Sequence, residues 1–285
     1  RADYAYRQSL MRAPGAADVA VEFANYVWMR RGDLAAADAV LDQAFHGGAP
    51  AAPLLVAKAT LYDAAGDPGR AAGLLEAASQ RMPGDLLVLL SAAEFALQLE
   101  RIDDAERYVR LAEAADPDAR SVAQHAAIVD LARGRAPEAL AKLKEALARH
   151  PQDQSLWGWA ATAARAAGDP LYGELCDYDA VVGAYDLRPP EGWSSLEAFL
   201  SDLSKALKDE HSYQQHPINQ SLRHGSQSMH LLTGSRAPAI RAVFQAIDAP
   251  IREHMGSRWQ GDDPLLRRNT LDYQIQGAWS VRMRP

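Results

Sequence analysis

Four of the eight histidines fall within twenty residues of one another in the C-terminal third of the chain. Clustered imidazoles could hold a metal ion, and iron in oxidation chemistry takes two histidines and one carboxylate on one face. Such a site begins with His-x-Asp or a close variant. No histidine here is followed two residues later by Asp, Glu or His, and no His-Glu-x-x-His zinc motif occurs. We therefore predict no metal ligand, and we expect hydrogen-bonding loop side chains at His211, His216, His224 and His230.

Nucleophilic catalysis would need a serine or cysteine beside a base. The chain has no Gly-x-Ser-x-Gly elbow and no glycine-rich phosphate loop, and its only cysteine, Cys176, has no base partner in the sequence. No catalytic residue is identifiable, and a buried structural thiol is favoured at Cys176. A single cysteine also excludes an internal disulfide framework, which is typical of a reducing compartment. We predict a cytoplasmic location.

The net charge of −7 over 285 residues is unevenly distributed. Residues 189–285 contain eleven Lys/Arg and ten Asp/Glu, which leaves nineteen basic and twenty-seven acidic residues in 1–188, a charge of −8. An acidic N-terminal part argues against a nucleic-acid partner. The acidity is explained either by solubility or by an acidic docking surface. No apolar run approaches the ~20 residues of a membrane helix, so we predict no membrane partner.

Turn-forming glycines recur with a period of 34 residues or a multiple of it, at Gly32, Gly66, Gly134 and Gly168. The missing position falls at Glu100. Further columns repeat in the same register: Ala37, Ala71, Ala105 and Ala139; Leu41, Leu75, Val109 and Leu143; Ala44, Ala78, Ala112, Ala146 and Ala180; Pro83, Pro117 and Pro151.

These columns predict a helix–turn–helix unit. Recurrent alanines let two helices approach closely, glycine ends the first helix, and proline stops the second helix before the next unit. Each pair buries its apolar stripe against its neighbours, so that the array forms one continuous core. One column is irregular, because Trp28 and Tyr62 are followed there by Ala96, Asp130 and Ala164.

The period and the columns resemble the tetratricopeptide repeat (TPR) family, whose unit has 34 residues. The fold class that this implies is mainly α, with an α-solenoid over residues 1–175. We place units at 18–51, 52–85, 86–119 and 120–153, followed by a degenerate unit at 154–175. Residues 1–14 are interpreted as the second helix of an incomplete earlier unit.

The resemblance also implies a partner, because the first helices of such units line a concave face that binds protein or peptide. The face is mixed apolar and acidic here, without the run of Lys and Asn that family members use to hold a C-terminal carboxylate. An alternative remains open, in which these side chains pack on a neighbouring segment of the same chain. The candidate partner-binding residues are Glu22, Tyr26, Met29, Leu90, Glu94, Leu97, Gln124, Ile128 and Leu131.

A smaller α+β segment is predicted over residues 176–285. The Ser194-x-x-Glu197 capping box predicts a helix over about 195–210. Residues 211–234 are polar and predict loop, and 237–255 predict a second helix with a kink at Pro250. Strict alternation over residues 271–284 predicts a long strand. A lone strand cannot satisfy its backbone. The chain is therefore expected to continue beyond Pro285 into a sheet.

Three stretches in this segment, YDLRPP at 185–190, HPINQSLRHGSQS at 216–228 and GAWSVRMRP at 277–285, resemble the start of a 2-oxoglutarate/Fe(II) oxygenase domain found behind TPRs in bacterial proteins. The resemblance implies an incomplete double-stranded β-helix, a dioxygenase as the full-length parent, and Fe(II) and 2-oxoglutarate as cofactors. Its iron ligands would lie beyond Pro285. Pocket or cosubstrate contacts would come from Asn219, Gln220, Gln227, Trp279 and Arg282.

Two non-catalytic hypotheses stand beside the oxygenase. In one, the repeats form an interaction or adaptor module, and the last strand pairs with another chain or with a second copy by β-addition. In the other, the C-terminal helices cover the end of the solenoid, which needs a polar cap.

Overall fold

The structure is a computed structural model that describes residues 2–218, 222, 225–228, 231–261, 266 and 269–283. The chain is mainly helical and divides into two compact units. Unit 1 comprises Arg1–Tyr172 together with Pro217–Ser221, and unit 2 comprises Gly173–His216 and Leu222–Pro285. Within the described residues, none of the helices combines the length and apolarity that crossing a bilayer requires.

Unit 1 is built from helix pairs that follow the 34-residue period. A single helix precedes the pairs, as the sequence predicts for residues 1–14. The helices are α1 (Ala2–Arg12), α2 (Ala17–Arg31), α3 (Leu34–His46), α4 (Ala51–Ala64), α5 (Pro68–Arg81), α6 (Leu86–Gln98), α7 (Ile102–Ala115), α8 (Arg120–Ala132), α9 (Ala136–Arg149) and α10 (Gln154–Ala167).

The repeating turn has a left-handed residue at its centre. Gly32, Gly66, Gly134 and Gly168 have φ between 65° and 90°. Glu100 occupies the missing position with φ 59°, so the irregular unit keeps the turn although it lacks the glycine. The next residue, Arg101, donates its backbone N–H to the carbonyl of Ala96 at 2.8 Å. This bond ends the first helix of the pair as in a Schellman motif.

Replacing Glu100 by glycine should raise the free energy of unfolding by about 1 kcal/mol, because a side chain in the left-handed region costs roughly 1–2 kcal/mol. Urea denaturation would measure the change. Glu145, an exposed residue within α9, is the matched control, since glycine in a regular helix lowers stability by about 1 kcal/mol. Equal losses for Glu100→Gly and Glu145→Gly would contradict the role of the turn.

The aligned small residues lie where the helices of unit 1 pack most closely. Ala37, Ala71, Ala105 and Ala139 have no exposed surface, and neither do Leu41, Leu75 and Leu143 in the aligned leucine column. One buried cluster runs through α4–α8 and a second one through α8–α10. The core of unit 1 is therefore shared between successive repeats, as the column pattern predicts.

Unit 2 contains short helices and a small sheet. Its helices are α11 (Leu171–Leu175, which begins in unit 1), α12 (Tyr178–Val181), α13 (Leu196–Asp209), α14 (Pro238–Ala246) and α15 (Asp248–Ser257). The predicted helix at 195–210 is confirmed, but the capping residue is Ser195, whose Oγ accepts from the N–H of Ala198, and not Ser194. The predicted helix at 237–255 is divided at Ile247. Pro250 cannot donate to the carbonyl of Ala246, which removes the bond that would continue α14.

The sheet differs most from the prediction. Among the described residues, strand β2 covers Val281–Met283, and residues 271–280 form no regular element. Its antiparallel partner β1 (Gly225–Gln227) lies in the segment predicted as loop, with Gly225 opposite Met283 and Gln227 opposite Val281. A Cβ at Gly225 would come within 2.6 Å of the Arg282 carbonyl, so this pairing requires glycine there.

Candidate functional site

The first helices of successive repeats form one continuous layer in unit 1. Helix α2 contacts α4, α4 contacts α6, α6 contacts α8, and α8 contacts α10. The second helices α3, α5 and α7 each contact the first helix of the next unit, and within residues 2–172 they form no comparable layer among themselves. We call α2, α4, α6, α8 and α10 the first-helix layer.

Side-chain hydrogen bonds cross this layer from one helix to the next. Asp63 on α4 accepts from the Gln98 amide on α6 at 2.7 Å. Gln124 on α8 accepts from the Ser155 hydroxyl on α10 at 2.9 Å. Between these two links, the ring of His125 lies 2.9 Å from the Glu94 carboxylate. Polar side chains of the layer therefore fix the spacing of neighbouring repeats.

The structure divides the predicted partner-binding residues into two groups. Tyr26, Met29 and Leu90 are only 4%, 2% and 7% exposed. These three side chains are buried, as the alternative left open by the sequence allows, and their contact with a partner stays a prediction. Tyr26 stacks with Phe23 of the same helix and makes a tilted ring contact with Tyr6 of α1, and its hydroxyl accepts from Arg30. Of the remaining members, Glu22 and Glu94 are exposed, and the half-buried ones are Leu97, Gln124, Ile128 and Leu131.

His125 is buried in the layer with a partner at each ring nitrogen. Nδ1 lies 2.6 Å from the carbonyl oxygen of Ser121, and Nε2 lies 2.9 Å from the Glu94 carboxylate. Both partners are acceptors, so the doubly protonated ring satisfies both contacts. Burial alone would lower the pKa of His125, but the hydrogen bonds to Glu94 and Ser121 and the charge of Glu94 outweigh it, and the pKa is raised above 6.5.

This raised pKa predicts a pH-dependent stability. Protonated His125 stabilises the fold fully below the unfolded-state pKa of about 6.5, and the contribution is lost as the pH rises through the higher pKa of the folded chain. We expect the loss to reach at most about 1 kcal/mol, because Glu94 is solvent-exposed. Urea midpoints of the chain between about pH 5.5 and 8.5 would measure it, since this window brackets the ordinary titration range of histidine.

The control is Glu94→Gln, which keeps a hydrogen-bond acceptor but removes the charge. The difference in unfolding free energy between the unchanged chain and Glu94→Gln should be largest near pH 6 and should shrink at alkaline pH. The titration of the other histidines contributes equally to both chains and therefore cancels in that difference. Salt should reduce it. A difference that is independent of pH would show that Glu94 does not act through the charge of His125.

Unit 2 brings a second set of polar groups together. His211 Nδ1 lies 2.9 Å from Ser226 Oγ on β1, and Nε2 lies 3.0 Å from Ser280 Oγ. Burial and the charge of Arg282 lower the pKa of His211. His211, Ser280 and Arg282 line an open cavity of about 360 Å³, together with Leu200, Leu203, Ser204, Leu207, Lys208 and Val281.

The predicted pocket residues that the structure describes have different surroundings. Arg282 lines the cavity, Gln227 is buried in β1, and Trp279 is 55% exposed. Asn219 and Gln220 lie outside the described residues, as do His224 and His230. No observation tests whether any of these side chains contacts a cosubstrate, so that role stays a prediction.

The described residues do not fit Fe(II). No group of three or more His, Cys, Asp or Glu side chains is placed among them to hold a metal ion. His211 directs both ring nitrogens at serine hydroxyls. A two-His, one-carboxylate set is therefore not formed by the part of the chain that the structure describes, and no reaction step through iron follows.

Comparison with protein families supports the interpretation of unit 1. Residues 64–128, which contain α5, α6, α7 and most of α8, match the model of the tetratricopeptide repeat family. Over these residues the chain is similar to the tetratricopeptide repeat family. A comparison with curated proteins gave no significant match.

Solved TPR structures are similar to part of this chain. A TPR protein of Parabacteroides merdae ATCC 43184 is 17% identical over 61% of this chain and 68% of that chain, with a TM-score of 0.47. A thermophilic TPR protein of Thermus thermophilus is 20% identical over 57% of this chain and 89% of its own, with a TM-score of 0.46. YrrB, described as a TPR protein with an unusual peptide-binding site, is 17% identical over 61% of this chain and 91% of its own, with a TM-score of 0.41. Because each TM-score is below 0.5, these similarities carry no conclusion about function.

One position of the repeat holds an ion cluster. Asp130, in the column of Trp28 and Tyr62, is 3% exposed. Its carboxylate pairs with Arg135 at 2.8 Å and with Lys142 at 2.6 Å. Arg135 also pairs with Glu106 of the preceding repeat at 3.1 Å. The sequence signalled this cluster only as a departure of Asp130 from its column.

Proposed function

We propose that the tetratricopeptide repeats of unit 1 are a docking platform for a protein segment that carries basic and aliphatic side chains. The observation that supports this best is the open part of the first-helix layer. There the aliphatic residues Leu97, Ile128 and Leu131, which are not fully buried, share the layer with the carboxylates of Glu22 and Glu94.

The packing of the helices supports a curved platform. The first helices contact one another from repeat to repeat, whereas the described second helices make their contacts with first helices. A two-layer array with one layer more closely spaced than the other curves toward the closer layer. A partner on that side would meet several repeats at once, and its basic groups would complement the charge of −8 over residues 1–188.

Selection from a displayed peptide library against the whole chain tests this proposal. We expect the enriched peptides to combine Lys or Arg with Leu or Ile. Their affinity should fall at least about tenfold in Ile128→Lys, which places a positive charge on the open part of the layer, and should weaken as salt is raised.

The matched control is Leu111→Lys, since Leu111 is an exposed aliphatic residue on the second helix α7. Binding should survive this change. No enrichment, or equal losses for Ile128→Lys and Leu111→Lys, would reject the first-helix layer as the docking surface. Circular dichroism of both variants would establish that the helices are retained.

The dioxygenase hypothesis rests on the sequence resemblance of the C-terminal segment alone. Fe(II) and 2-oxoglutarate stay predictions, and so does self-association through the last strand. A non-catalytic interaction module accounts for the repeats without them.

A further inference from the structure

A short piece of the C-terminal half of the chain belongs to the repeat unit. Pro217 and Ile218 are grouped with unit 1, whereas the flanking His216 and Leu222 are grouped with unit 2. Pro217 is buried, and Ile218 is 2% exposed. The backbone N–H of Ile218 donates to Oδ1 of Asn25 on α2 at 3.2 Å, across 193 positions of sequence. Unit 1 therefore includes a segment that makes a main-chain hydrogen bond to α2 and whose isoleucine side chain is buried.

The residue that receives this segment is an exception in its column. The positions equivalent to Asn25 in the next three repeats are Ala59, Ala93 and Ala127. All three alanines have no exposed surface and lie in the shared core of successive repeats. The first repeat alone of these four has an amide there, and the amide oxygen receives a backbone N–H from outside the array. An alanine could not accept that bond.

We propose that the surface of α2 around Asn25 is a docking site for a segment in which proline precedes a branched aliphatic residue. The chain fills this site with its own Pro217–Ile218, and an outside segment of the same chemistry binds there once the internal segment is released. The site lies on α2, apart from Ile128 on α8, so the proposal does not rest on the docking function proposed above.

The main-chain contact and the buried side chain divide the recognition between them. The side-chain oxygen of Asn25 accepts a hydrogen bond from a backbone N–H, a donor that every residue except proline has. Burial of Ile218 selects an aliphatic side chain, and Pro217 restricts the backbone before it. Because the internal segment is tethered, it acts at an effective concentration of the order of millimolar, so an outside peptide at micromolar concentration cannot displace it.

Fluorescence anisotropy with a labelled peptide of residues 212–222 tests the proposal on the whole chain. The unchanged chain should show no binding at micromolar peptide. Ile218→Asp should vacate the site and bind the peptide at least about tenfold more tightly, whereas Ile218→Val should keep it filled.

Adding Asn25→Ala to Ile218→Asp should reduce peptide binding at least about fivefold, because a main-chain hydrogen bond is lost. This change restores the alanine of the column and should not disturb the helices. A peptide with aspartate in place of its isoleucine should not bind.

Equal peptide binding by Ile218→Asp and the unchanged chain, with the helical spectrum retained, would overturn the proposal. Hydrogen exchange gives a second test that needs no vacated site. In Asn25→Ala the amide of Ile218 loses its acceptor and should exchange severalfold faster, while amides in α6 keep their rates. Unchanged exchange at Ile218 would also overturn the proposal. Loss of library binding in Ile128→Lys would leave both outcomes unaffected.

Discussion

Replacing Leu143 by alanine should lower the free energy of unfolding by about 3 kcal/mol, since removal of a fully buried leucine typically costs roughly 2–5 kcal/mol. Leu143 has no exposed surface and lies in the cluster formed with Ala139, Ala146 and Leu156. The residues around it come from α9 and α10 and from Ala127 on α8, so helices of neighbouring repeats close on the same side chain. The cavity would therefore weaken the interface between repeats as well as one helix pair.

Leu111→Ala is the matched control, because it makes the same change at a residue that is 39% exposed on α7. We expect a loss below about 0.5 kcal/mol there. Urea denaturation followed by helical circular dichroism compares the two. Repeats can unfold in parts, so a broadened transition in Leu143→Ala would also indicate a weakened repeat interface. Equal midpoints for the two variants would contradict the shared core.

The repeat architecture was predictable because its signals are local. A turn needs a left-handed residue and a close helix contact needs a small one, so both leave a mark in every unit. The period was strong enough to place a turn at Glu100 without glycine, and the φ of 59° confirms that placement. The period does not reveal which neighbouring segment covers a side chain. Tyr26 shows this, because it is buried against α1 and Phe23.

The C-terminal half was less predictable because its sheet depends on distant pairing. The alternation over residues 271–284 is real in the sequence, but a strand forms only where a partner supplies hydrogen bonds. The partner of Val281–Met283 is Gly225–Gln227, far earlier in the chain, and three residue pairs join them among the described residues. The hydrogen bond from the backbone N–H of Ile218 to Asn25 likewise joins residues that are far apart in the sequence. The column of Asn25 marked that position as irregular without indicating what binds there.

Replacing both Arg135 and Lys142 by methionine should lower the free energy of unfolding, because the Asp130 carboxylate would lose both of its partners. The loss should stay below the roughly 3–5 kcal/mol typical of a fully buried pair, since Arg135 and Lys142 are themselves 39% and 45% exposed. The two methionines keep the apolar stems of the side chains. The Asp130 carboxylate, which is 5% exposed, would stay buried without its two ion-pair partners. Urea denaturation is the appropriate measurement, since a salt denaturant such as guanidinium chloride would screen the charges.

A third substitution, Asp130→Leu, shows whether the lost stability comes from the unpaired Asp130 carboxylate. Adding Asp130→Leu to the double variant removes the carboxylate from a column that elsewhere holds Trp28 and Tyr62, and most of the lost stability should return. Arg7→Met, which breaks the exposed pair with Asp3, is the control and should cost less than about 1 kcal/mol. If the triple variant were no more stable than the double one, the loss would come from the bonds of Arg135 to Glu106 and not from Asp130. Recovery would show that this repeat tolerates a buried carboxylate only because two cations from the following turn and helix reach it.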